Sequence, residues 1–156
     1  MNICTVSFFG HRKVENISEI EKNLFSVIND IIKNHDYVKF LVGREGEFDW
    51  LASSVVSRIA TGKNNIYTVL VLPYMRAGFR DHKENYLCCY NEVEICKESA
   101  VAFPKAAIQI RNRIMIENSD IIVCCIQHTG GNAYRSVKYA EKLNRKIINT
   151  GTEKII

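Results

Sequence analysis

Residues 111–149, RNRIMIENSDIIVCCIQHTGGNAYRSVKYAEKLNRKIIN, decide the fold. An amphipathic helix closes at Ser119-Asp120, and Ile121 to Ile126 follows as an unbroken apolar run. Such a run is the signature of a strand covered on both faces. Thr129-Gly130-Gly131-Asn132 then opens a helix whose Ala133, Val137, Ala140 and Leu143 fall on one stripe, and a strand over Lys146 to Thr150 completes the unit. A strand that feeds a glycine turn at a helix N-terminus leaves backbone N–H groups aimed outward, where an anion satisfies them. The leading ligand class is therefore a phosphorylated small molecule.

The remainder of the chain repeats this alternation. Ile3 to Phe9 reads as a strand broken by Gly10-His11-Arg12, and Ile17, Ile20, Leu24, Val27, Ile28, Ile31 and Ile32 form a helical stripe. Ser18 and Glu21 have capping-box spacing at its start. Tyr37 to Val42 is a second strand ending in Gly43-Arg44-Glu45-Gly46. Phe48 to Ala60 is a second helix with Leu51, Val55, Val56 and Ile59 inward and Gly62 as its stop, and Trp50 reads as a core residue. Ile66 to Leu72 is a third strand closed by Pro73, and Pro104 suits the first position of a helix running to Glu117. From Tyr74 to Phe103 the pattern is aromatic and charged, with Arg80 among its cations, and predicts at most a short helix near Glu92 to Glu98. The tail through Ile156 has no assignment.

Strands alternating with helices imply parallel pairing through right-handed crossovers. The expected fold is α/β, a Rossmann-like doubly wound parallel sheet of about five strands with helices on both faces. At 156 residues it reads as a single domain, 1–156, long enough to bury about two-thirds of its unfolded surface. With 47% hydrophobic residues and 2 prolines, disorder is not expected. The formal charge of +4 is scattered without a Lys/Arg run, which argues against a duplex-binding surface and suits an anionic ligand. Of the six cysteines, Cys4, Cys124 and Cys125 fall in core strands, and Cys88-Cys89 reads as an ordinary loop pair. No CxxC is present, so neither a metal nor a cofactor is implied. No run reaches membrane-spanning length and the N-terminus lacks a signal-peptide pattern, so a reducing cytoplasm is expected.

Ligands of such sheets bind at the carboxyl ends of the strands. Three loops there carry the candidate binding residues: Gly10, His11 and Arg12; Gly43, Arg44, Glu45, Gly46 and Asp49; and Thr129, Gly130, Gly131 and Asn132. Arg111, on the preceding helix, is the fourth group. Each has a plainer reading. His11 serves as a turn residue, Arg12 as a surface charge and Asn132 as an N-cap. Glu47 and Asp49 suit the helix dipole, and Arg111 extends its head to water. Tyr74, Arg76, Tyr86 and Tyr90 read as a stacking group over the site, an interface, or simple packing.

At these loops the chain resembles the SLOG superfamily, which groups the LOG phosphoribohydrolases, the DprA/Smf proteins and the YpsA-like proteins. Ser7-Phe8-Phe9-Gly10-His11-Arg12 is most similar to the YpsA-like branch. Gly43 to Ala52 resembles the superfamily's glycine turn entering an alanine-containing helix. Arg111, eight residues before Ser119, and Gly130-Gly131 match the order of the LOG motifs. Thr129, Ala133 and Tyr134 depart from that pattern, and Val137 stands where LOG enzymes place their catalytic glutamate. The resemblance therefore implies nucleotide binding, by a sensor or sequestering protein, ahead of hydrolysis. Two alternatives remain: an N-glycosidase with a relocated carboxylate, Glu45 or Asp49 being the candidates, and DprA-type binding of single-stranded nucleic acid. LOG-type relatives also imply a homodimer or higher homo-oligomer.

Overall fold

Six parallel strands organise the chain in the computed structural model, which describes residues 2–76, 78–79, 83–87 and 89–151. The elements run β1 (Ile3–Gly10), α1 (Ile17–Lys33), β2 (Tyr37–Val42), α2 (Glu47–Ala60), β3 (Ile66–Leu72), α3 (Lys83–Leu87), β4 (Glu92–Ile95), α4 (Lys97–Ala100), α5 (Pro104–Glu117), β5 (Ile121–Cys125), α6 (Gly131–Lys142) and β6 (Lys146–Asn149). Strand order is β4-β3-β2-β1-β5-β6. The chain builds outward from β1 to one edge, returns, and builds outward from β5 to the other. The switch point therefore lies between β1 and β5, where the loops leaving adjacent strands diverge and a crevice opens.

The two-residue strand period sorts the core into two layers. Val6 and Phe8 of β1 pack with Ile20, Leu24 and Ile28 of α1 and Val55 and Val56 of α2. Phe9, with Ile122 and Cys124 of β5, packs with Met115 and Ile116 of α5 and Val137 and Ala140 of α6. Cys4, Cys124 and Cys125 are buried, and burial raises all three thiol pKa values, so they behave as small apolar side chains. Cys96 is buried as well, and Cys89 is exposed.

Ser119 and Asp120 hold β5 to β1 at the amino ends of the strands. Asp120 N–H donates to Thr5 O at 2.8 Å, while Thr5 N–H donates to Asp120 Oδ2 at 2.9 Å. The buried Ser7 and Ser119 hydroxyls lie 2.5 Å apart. These contacts fix the pairing in which Val6 faces Ile121 and Gly10 faces Cys125.

Several expectations are corrected. The sheet has six strands, because Glu92–Ile95 pairs with β3 as an edge strand and the short helix begins only at Lys97. Its outward glutamates suit an edge, where charge discourages further pairing. The Ser18 capping box does not form: α1 starts at Ile17, and Asn16 adopts a left-handed conformation with φ 58° whose carbonyl accepts Glu19 and Ile20 N–H. Trp50 is 53% exposed, off the inward stripe of Phe48, Ala52 and Val55, with the Arg44 guanidinium 4.4 Å from its ring. Asn132 lies inside α6, and the cap position belongs to Gly130. Arg80, Cys88 and residues 152–156 lie outside the described residues. Among the described residues no helix is long and apolar enough to cross a membrane, and no cluster of three His, Cys, Asp or Glu side chains could hold a metal.

Candidate functional site

The loops at the carboxyl ends of β1, β2 and β5 converge on a cavity of about 540 Å³. Gly10, His11, Arg12, Gly43, Glu45, Asp49, Arg111, Gly131 and Asn132 all line it. Arg44, Gly46, Thr129 and Gly130 flank the same loops without forming the wall. Phe8, Phe9, Lys13, Ile108, Asn112, Met115, His128 and Ala133 complete it. Sequence reading missed these eight as site residues; Asn112 and His128 had a signal, since one is a polar residue beside the apolar stripe of α5 and the other precedes the glycine turn.

The β1 and β2 loops are tied to each other. Glu47 N–H donates to Arg12 O at 2.9 Å, and Glu47 Oε2 accepts Val14 N–H at 2.6 Å. A Cβ at Gly46 would lie 2.4 Å from Arg12 Cα, and one at Gly10 would lie 2.2 Å from the Phe48 ring. Both glycines thus allow α2 to seat against the end of β1.

Arg111 is 3% exposed, so it does not extend its head to water. Its Nε and Nη2 both donate to Asn112 Oδ1, at 3.1 and 2.8 Å, and Nη1 donates to Val71 O at 3.1 Å. Nη1 also pairs with Glu45 Oε1 at 3.4 Å, and Arg76 Nη2 grips the same oxygen. Burial depresses the Arg111 pKa, and the carboxylates of Asp49 and Glu45 oppose that. Asp49 Oδ2 accepts Glu45 N–H at 2.8 Å. Burial raises the Asp49 pKa from 3.8 to about 6, against the pull of that N–H and of Arg111. The β2 side of the cavity therefore sets two carboxylates against two guanidiniums, and its charge is largely compensated.

The β5 side is built differently. Gly130 (φ 110°) and Gly131 (φ 82°) turn the chain into α6 through conformations that L side chains avoid, and a Cβ on either would meet nothing within 4 Å. The first-turn N–H groups of α6 have no carbonyl one turn earlier in the helix to receive them. Across the crevice, His11 and His128 stack with ring centroids 3.7 Å apart and planes inclined by 9°. Burial, and then the neighbouring His128, lower the His11 pKa below the usual histidine range, against a backbone contact from His128. The shift disfavours the charged form of the His11 ring. Its Nε2 is buried without a hydrogen-bond partner, a condition shared among the described residues only by Arg76 Nε.

Behind the wall runs a polar ladder. Asn112 Nδ2 donates to Ser136 Oγ at 3.1 Å, Ser136 Oγ donates to Asn132 O at 2.9 Å, and Gln109 Nε2 donates to Asn132 Oδ1 at 3.2 Å. Val137 is fully buried on the core face of α6. Tyr90 is buried with its hydroxyl 3.3 Å from Ser53 Oγ, which makes it a packing residue. Tyr86 packs edge-on against Phe79, and the Arg44 guanidinium lies 4.5 Å from its ring.

No family model matches the chain, and no curated protein matches it. Among solved structures, the chain is similar to DNA processing protein A from Helicobacter pylori, with TM-score 0.65 and 17% identity over 95% of this chain and 65% of that one. It is likewise similar to DNA processing protein A (DprA) from Streptococcus pneumoniae, with TM-score 0.65 and 14% identity over 94% of this chain and 50% of that one. The chain thus spans less than two-thirds of either protein. At these identities the likeness is one of fold, a Rossmann-like parallel α/β sheet.

Proposed function

We propose that this chain binds a phosphorylated nucleoside-type small molecule in the cavity at the carboxyl ends of β1, β2 and β5, acting as a sensor or sequestering protein of SLOG type. The observation that carries this reading is the buried, unpartnered His11 Nε2 on the cavity wall. An unsatisfied buried polar atom costs about 1–3 kcal/mol, a cost that a ligand's hydrogen bond removes. The two sides of the cavity suit the two ends of such a ligand. Phosphate belongs at the α6 N-terminus, where the helix dipole and free N–H groups meet Arg12 and Lys13 across the crevice. Sugar hydroxyls or base amino groups belong at Glu45 and Asp49, which accept hydrogen bonds. Arg111 acts here by holding those carboxylates in place.

Calorimetric titration with nucleoside monophosphates and diphosphates, the parent nucleosides and orthophosphate tests this. Binding that needs both the phosphate and the nucleoside is expected, weakened about tenfold or more by His11→Phe, which keeps the stack and removes the ring nitrogens (one lost hydrogen bond to a buried partner). Equal heats from orthophosphate alone would reduce the site to an anion trap. Silence from every nucleotide would end the reading.

Single-stranded nucleic acid is a second reading, favoured by the fold shared with the Helicobacter pylori protein, which was described for its single-stranded DNA binding mode. It predicts affinity that grows with strand length and falls steeply with salt.

A further inference from the structure

Outside the cavity, α5 and α6 lie side by side and enclose a second groove of about 330 Å³. Gln109, Arg113, Arg135, Ser136, Lys138 and Tyr139 line it, three cations with no carboxylate among them. Two carboxylates bind lining residues: Glu117 accepts the Tyr139 hydroxyl at 2.8 Å, and Glu141 pairs with Lys138 at 3.0 Å, which leaves the charge of the groove to Arg113 and Arg135. Arg113 and Arg135 are exposed, and Arg113 lies over the Tyr139 ring at 5.5 Å.

The groove adjoins the cavity across the polar ladder. Asn112 and Asn132 line the cavity, while Ser136 and Gln109, their hydrogen-bond partners, line the groove. Arg113 stands four residues beyond Gln109 and Arg135 three beyond Asn132, so the cations lie one helical turn, about 5.4 Å, past the shared seam. An extended ligand seated at the glycine turn would pass directly over Gln109 and Asn132 into this positive potential.

We propose that the α5–α6 groove is an anion subsite for a second phosphate on the same ligand, so that the full ligand is a phosphate-linked dinucleotide or a longer strand. This rests on the nucleotide reading of the cavity. The groove supplies charge and a stacking face, the combination that tracks a phosphate backbone, whereas the cavity supplies the enclosed end.

Calorimetric titration of the whole chain with adenosine 5′-monophosphate, the 5′-phosphorylated dinucleotide pApA and a short oligodeoxyadenylate, each at two salt concentrations, tests the proposal. The dinucleotide is expected to bind about tenfold tighter than the monophosphate, with a steeper salt dependence, since each added phosphate contact contributes a slope of roughly −0.7. The exposed double substitution Arg113→Ala/Arg135→Ala should erase that gain and leave monophosphate affinity unchanged. Further tightening with the oligonucleotide identifies the natural ligand as a strand; a plateau at the dinucleotide identifies a two-phosphate small molecule. Equal affinity for monophosphate and dinucleotide overturns the groove while the cavity reading stands, as does equal weakening of both by the double substitution. Failure of all three probes overturns the two together.

Discussion

Two glycine turns flank the cavity, one after β2 and one after β5, and in sequence they look alike: glycines that end a buried strand and open a helix. In three dimensions they use glycine for opposite reasons. At Gly46 the backbone is extended, which any residue adopts, and a side chain is excluded because the Arg12 backbone occupies its space. At Gly130 and Gly131 the space is open and the backbone conformation excludes the side chain. The first turn is closed upon the protein's own groups, with its charges paired internally. The second turns its polar groups outward. A glycine turn is thus a candidate anion site only when its glycines are needed for conformation and face unoccupied space.

The largest test of this contrast strikes the closed turn. Arg111→Met leaves Glu45 and Asp49 without their shared buried cation and should cost about 3–5 kcal/mol in denaturant unfolding. Arg111→Lys should recover little, because a single ammonium cannot reproduce the fork that reaches Asn112, Val71 and Glu45 together. A loss below about 1 kcal/mol, the range of a surface pair, would show that the network is not structural.

Asp49 gives the next effect. With its pKa raised from 3.8 to about 6, the folded chain binds more protons than the unfolded one between those values, so this group's contribution to stability falls as pH rises through that window. Asp49→Asn keeps an acceptor for Glu45 N–H and should remove that fall, making the difference between variant and wild type grow by about 2–3 kcal/mol from pH 4 to pH 7. Unfolding profiles that stay parallel across the window would place Asp49 in a better-solvated setting.

The smallest effects separate the two kinds of glycine. Gly46→Ala should cost about 1–3 kcal/mol through collision, and Gly130→Ala about 1–2 kcal/mol through backbone strain. D-alanine introduced at position 130 by ligation should restore wild-type stability, since its mirror-image preference fits a positive φ and nothing obstructs its methyl group. Persistent loss with D-alanine would show that position 130 is also limited by space.

Periodicity made the fold legible wherever an element was long and half-buried. β2, β3 and α5 begin and end where the pattern predicts, because apolar residues there must meet a sheet or a helix face. β4 escaped because four residues with two glutamates carry too little hydrophobic signal, and pairing with β3 supplies what the sequence does not display. Trp50 misled because size suggested burial, whereas helical phase places it outside beside Arg44. The cavity was legible as a set of loops at strand ends. Its internal wiring was not: Arg111 sits where an arginine near an apolar stripe could reach a ligand or water, and only the fold brings Glu45 and Val71 to it.

The Ser119-Asp120 hold on β1 has a consequence for how the molecule comes to exist. Thr5 and Asp120 are 115 positions apart, and β1 occupies the middle of the sheet. One edge of β1 stays unpaired until β5 arrives, and closing so long a loop is slow. His11 and His128 lie in the loops that leave the two strands so joined, and their stack needs that pairing in register. The cavity thus exists only where that pairing exists, so any molecule that filled it would stabilise folded chains over unfolded ones.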